Sequence, residues 1–114
     1  MEKSNRKDLI REYKERKLTG GVLKITNTQT GRYLLVGETN LQGSKNRFDF
    51  SVATNSCIYS KLREDWKRFG PQTFSFVILE EMEQKEDQTV EQFREDVQTL
   101  ADLWREKEDP SLAY

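Results

Sequence analysis

Gly21-Val22-Leu23-Lys24-Ile25-Thr26-Asn27 and Gly31-Arg32-Tyr33-Leu34-Leu35-Val36-Gly37 are the two stretches that decide how this chain folds. Val22 to Asn27 and Arg32 to Val36 are rich in β-branched and aromatic residues, which suit a pleated and partly buried backbone. Between them, Asn27-Thr28-Gln29-Thr30-Gly31 has the composition of a hairpin turn. Two antiparallel strands are therefore expected, with Gly37 ending the second.

Working downstream, Glu38 to Asn46 reads as a polar loop and Arg47 to Phe50 as a short helix. Ser56 or Asn55 then caps a helix running to about Phe69, with Ile58, Leu62, Trp66 and Phe69 at helical spacing on its buried face. Gly70-Pro71 stops that helix. Phe74 to Leu79 is a third strand, apolar on both faces after Ser75, which calls for helices above and below the sheet. After a charged connector, Thr89-Val90-Glu91-Gln92 matches a capping box. It opens a last helix with Phe93, Val97, Leu100, Ala101 and Trp104 on one face, ended by Asp109-Pro110. Upstream, residues 5–17 read as a basic helix capped by Ser4, with Leu9, Ile10 and Tyr13 as an apolar stripe.

This order predicts an α+β domain: a three-stranded, largely antiparallel sheet flanked by helices. The expected organisation is one domain over 1–114, with a basic helix at 1–19, a core at 20–109 and a frayed tail at 110–114.

Composition narrows the chemistry. The chain has 114 residues, no histidine and one cysteine, Cys57. A zinc site needs Cys or His ligands in number, and histidine is also the commonest general base. Any catalysis must then use Tyr, Glu, Asp, Lys or Arg. Nothing resembles a membrane span or an export segment, so a cytoplasmic protein without a membrane partner is expected. Net charge is −1, but it is divided unevenly. Residues 1–79 hold 15 Lys/Arg and 8 Asp/Glu, and residues 80–114 hold 4 and 12. That division fits two solvated faces of opposite sign, or a basic surface for phosphates.

The paired strands resemble those that name the GIY-YIG nuclease superfamily. In that family a G-(I/V)-Y-x-I-x-N strand and a strand ending Y-(I/V)-G flank a tight turn. Asn46-Arg47-Phe48 resembles its arginine motif. Leu62 to Gly70 resembles its L-x-x-D-W-x-x-x-G helix, and Phe74 to Glu80 its F-x-F-x-I-L-E strand. The likeness covers roughly residues 20–107. It implies a DNA phosphodiesterase assisted by one divalent metal, usually Mg²⁺. A tyrosine would take a proton from water, an arginine would steady phosphate charge and a glutamate would hold the metal.

Carried onto this sequence, the arginine falls on Arg47 and the metal glutamate on Glu80, with Glu81 beside it. A polar residue of the last helix falls on about Asp102. Both signature tyrosines fall on leucines, Leu23 and Leu35, which accept no proton. Histidines that some members use fall near Ser51 and Cys57. Tyr33 and Tyr59 are the candidates to replace the lost tyrosines. Tyr33 shares a strand face with Leu35, about 7 Å along the strand. The expected function is a nuclease-like protein that binds DNA, with phosphodiester cleavage impaired or lost and Mg²⁺ weakly held. Two alternatives stand beside it. One is an active metal-dependent endonuclease using Tyr33 or Tyr59. The other is a non-catalytic module that binds a protein partner. Against the site reading, Arg47 fits a surface arginine stacked on a phenylalanine, Cys57 a small core hydrophobe, and Trp66 and Trp104 core positions.

Overall fold

The computed structural model describes residues 18–114. The helix expected over 5–17 lies outside the described residues. Strands β1 (Thr19–Asn27) and β2 (Tyr33–Glu38) form the expected antiparallel hairpin, with Leu23 opposite Val36 and Ile25 opposite Leu34. Asn27 organises the turn. Its side-chain oxygen accepts the Gln29 and Thr30 amides, and its carbonyl accepts the Gly31 amide. Gly31 adopts a positive φ of 80°, a shape glycine takes without strain. Strand β3 (Phe74–Glu83) pairs antiparallel with the other side of β1, giving the order β2-β1-β3.

Helices cover both faces of β1 and β2, but β3 lies at the sheet edge and leaves Val77 48% and Ile78 40% exposed, contrary to the two-sided burial read from its apolar run. Helix α1 (Leu41–Thr54) and the short α2 (Arg63–Phe69) lie on one face. There Leu23, Ile25, Leu41, Phe48, Leu62, Trp66 and Phe74 form a buried cluster. Trp66 stacks on Phe74 and meets Phe48 edge-on. Helix α3 (Val90–Lys107) covers the opposite face, where Val22, Tyr33, Leu35 and Ala101 pack with Leu79, Leu100 and Trp104. The Thr89–Gln92 capping box opens α3 as its sequence predicts.

Four other expectations change. The loop read over Glu38 to Asn46 is mostly helix: Asn40 caps α1 by accepting the Gly43 amide, so α1 begins at Leu41 and runs 14 residues. Gly43 and the surrounding polar residues weaken the propensity signal there. Asn55 ends α1 in the left-handed region, with φ of 52°, instead of starting a new helix. Its side chain accepts from the Trp66 indole. The helix read from residue 55 is therefore confined to a 3₁₀ turn, Ser60–Leu62, and α2, and Ile58 is 44% exposed rather than buried. Finally, the tail is docked, not frayed. The Tyr114 amide donates to the Tyr33 carbonyl, and the Tyr114 hydroxyl joins Asp65 and Asn27. Arg32 stacks over the Tyr114 ring.

Candidate functional site

One irregularity in the sheet decides which side chains meet. Leu23 pairs with Ile78, but Val22 pairs with Glu80, so Leu79 is an extra residue without a partner in β1. Strict alternation from Phe74, Phe76 and Ile78 would put Glu80 on the α1 face. One added residue reverses every side chain beyond it. Glu80 therefore shares the α3 face with Val22, and its carboxylate accepts the Trp104 indole N–H at 2.9 Å. Glu81 shares the α1 face with Gly21. Gly21 makes the bulge feasible. Its φ is 147°, and a Cβ there would overlap the Glu80 carbonyl.

Arg47 lies on α1, on the other face. Its guanidinium donates to the hydroxyl of buried Ser44 at 3.3 Å. Its charge bears on Glu38, the last residue of β2, and on Tyr59. Glu38 belongs to this face because it pairs with Gly21, as Val36 pairs with Leu23. Burial raises the Glu38 carboxyl above its usual range, and Arg47 opposes the shift. Burial also raises the Tyr59 phenol, with Glu38 and Cys57 adding to the shift and Arg47 opposing it. The Tyr59 hydroxyl is out of water and has no hydrogen-bond partner among the described residues. Cys57 donates to the Tyr59 carbonyl at 3.2 Å, and its thiol is raised by burial against the pull of that bond and of Arg63.

Arg47, Tyr59 and Cys57 are thus brought together, with Glu38 among them. The other expected site residues are not. Glu80 is bonded to Trp104 on the far face. Tyr33 is on that face too, and its hydroxyl donates to the Asp109 carbonyl at 3.1 Å. Asp102 is exposed and paired with Arg105 at 2.6 Å. Leu23 and Leu35 are both buried, each in the core of a different face.

A second polar groove of about 750 Å³ lies between the start of α1 and the sheet, lined in part by Asn40, Lys45, Ile78 and Glu81. Lys45 there is paired with Asp49 at 2.8 Å.

No family model matches the chain, and no curated protein does. Solved structures do. The catalytic domain of the homing endonuclease I-TevI aligns with a TM-score of 0.56 and 17% identity, over 77% of this chain and 86% of that one. A mutant of the same catalytic domain, described as that of an intron endonuclease, aligns with a TM-score of 0.55 and 18% identity, over 79% and 84%. The chain has a GIY-YIG nuclease-like fold.

GIY-YIG nucleases typically depend on a divalent metal. The glutamate expected to bind it is turned onto the α3 face, and no three His, Cys, Asp or Glu side chains gather among the described residues. Magnesium takes one or two carboxylates and completes its shell with water and phosphate oxygens; here Glu38 and Glu81 share the α1 face, with Glu38 in the field of Arg47. No helix among the described residues is long and apolar enough to cross a membrane.

Sequence reasoning missed Glu38. The available signal was its place, two residues beyond Val36 on a strand whose alternate residues face the same way. It also passed over Arg63, which bears on Cys57.

Proposed function

We propose that this GIY-YIG-like domain binds nucleic-acid phosphates at Arg47 and that its phosphodiester cleavage is impaired or lost. The observation that carries the reading is the cluster of Arg47, Glu38 and Tyr59 on the α1 face, with Glu80 turned away from it. A guanidinium offers five donors in a planar fork, and among the described residues only one hydrogen bond, to Ser44, occupies it. A phosphate oxygen would find the rest of that fork open.

Cleavage needs more: a proton acceptor for water and a counter-charge at the leaving oxygen. The leucines at 23 and 35 supply neither. Glu38 is the carboxylate nearest this role, but it is opposed by Arg47. Charge distribution agrees with phosphate binding. Residues 41–73, which build the α1 face, hold six Lys/Arg and three Asp/Glu, while α3 holds three and five.

Fluorescence anisotropy with a DNA duplex at stepped salt tests the proposal. Arg47→Ala is expected to weaken binding about tenfold or more, as losing a charge-assisted hydrogen bond does. Absence of any DNA affinity at low salt would overturn it. A second reading, an active nuclease using Tyr59, is favoured by the same buried hydroxyl. Incubation with plasmid and Mg²⁺ or Mn²⁺ separates the two, since nicking that disappears in Tyr59→Phe would establish the active enzyme.

A further inference from the structure

A hollow of about 370 Å³ opens on the α1 face between the end of α1 and α2, lined by Asn55, Cys57, Arg63, Trp66, Lys67, Gly70 and Pro71. Two of its walls are cationic. Arg63 and Lys67 stand one helical turn apart on α2, both exposed, and neither has an acidic partner among the described residues. The acidic residues of α2 lie off this lining. Asp65 is held by Tyr114 at 2.8 Å and faces Arg32, and Glu64 is not part of the wall. Asn55 is fixed by its bond to the Trp66 indole, which leaves the two cations as the polar groups free to meet a ligand.

The hollow adjoins the Arg47 cluster through Cys57. That residue lines the hollow and also donates to the Tyr59 carbonyl, within electrostatic reach of Arg63 on one side and of the Tyr59 phenol on the other. Two unpaired cations next to a guanidinium on the same face form a track, not a single point.

We propose that Arg63 and Lys67 form a second phosphate-binding site, which takes a further backbone phosphate of the nucleic acid held at Arg47. The inference rests on the function proposed above and extends it from one contact to a path across α2. Backbone contacts of this kind release counterions, so each adds to the salt dependence of binding without reading sequence.

The test uses the full chain, a DNA duplex and two readouts. In anisotropy titrations, Arg63→Ala/Lys67→Ala should lower the slope of log affinity against log salt by about 1, the loss of one phosphate contact, and Arg47→Ala by about 1. The loss should be alike for unrelated sequences. The charge-conserving pair Arg63→Lys/Lys67→Arg should keep the slope. The second readout is alkylation of Cys57, the chain's single cysteine, by iodoacetamide. Bound DNA should slow it several-fold in the native protein and not in Arg63→Ala/Lys67→Ala. An unchanged slope in the double variant, with Arg47→Ala still impaired, overturns the second site and leaves the function standing. No DNA binding by the native protein removes both. Protection of Cys57 by inorganic phosphate as complete as that by DNA, at equal ionic strength, would assign the hollow to free phosphate and overturn the backbone site.

Discussion

The two faces of this sheet are built from the same three strands, yet they have separate chemistries. The α1 face carries Arg47, Glu38, Tyr59 and Cys57, with exposed Arg63 and Lys67 beyond them. The α3 face carries Glu80, Trp104, Tyr33 and Asp102, each with a polar atom already bonded. A polar group with a partner is structural first. A buried hydroxyl without one is an expense the fold tolerates, and such exceptions call for an explanation. The contrast teaches that the retained motif residues of a nuclease-like sequence need not share a site. One extra residue in β3 is enough to part them.

The most severe way to break this contrast is at Gly21. Its positive φ and its contact with the Glu80 carbonyl leave no room for a side chain. Gly21→Ala is expected to destabilise the fold by about 3 kcal/mol or more, combining backbone strain with overpacking. Urea unfolding followed by circular dichroism measures it. A change under 1 kcal/mol would mean that the bulge is not held as described, and the assignment of Glu80 to the α3 face would go with it.

Tyr59→Phe has a smaller and opposite effect. Removing a buried donor that nothing accepts should stabilise the protein by about 1 kcal/mol. DNA affinity of the same variant should change little, because the hydroxyl is out of water. Destabilisation would show that the hydroxyl already has a partner, and the α1 face would then lose the feature that sets it apart.

Most of the architecture was legible because the patterns behind it are local. The hairpin follows from Asn27 to Gly31 and the last helix from its capping box, whereas the apolar run in β3 overstated its burial because pairing on one edge only leaves Val77 and Ile78 exposed. The start of α1 was hidden by Gly43 and weak helix formers, and only the Asn40 cap reveals it. The docked tail depends on Tyr114 reaching Asp65 and Asn27, contacts between residues far apart in the chain. The candidate cluster was partly legible for the same reason. Arg47, Tyr59 and Cys57 were all singled out, and they do gather. Glu80 was misplaced because side-chain direction along a strand assumes strict alternation, and the bulge that breaks it leaves little trace in Phe74 to Glu83.

Glu38 gives a pH-dependent comparison. Its folded pKa is raised, so the folded state disfavours the charged form relative to the unfolded chain. At pH below the ordinary glutamate range both states are protonated and the burial has no penalty. The penalty appears as pH rises through that range and is complete above the raised folded value. Glu38→Gln should therefore stabilise the protein at neutral pH and leave it unchanged in acid, as thermal melts across pH would record. Because the net shift is upward, burial outweighs the help from Arg47. The substitution should also free Arg47 and strengthen DNA binding at neutral pH. A variant less stable at neutral pH than the native chain would show the attraction of Arg47 to outweigh burial.

Glu80→Ala is the gentlest probe and the most direct. Glu80 is exposed, and its one described bond is with the Trp104 indole, so losing it should cost about 0.5–1 kcal/mol. The indole of Trp104 would turn to water, while Trp66, buried and bonded to Asn55, would not respond. A small change in tryptophan emission is the expected signature. DNA affinity should be unaltered, because the carboxylate is on the face opposite Arg47. If affinity or any cleavage fell by tenfold, Glu80 would belong to the α1 face after all, and the division between the two faces would have to be redrawn around it.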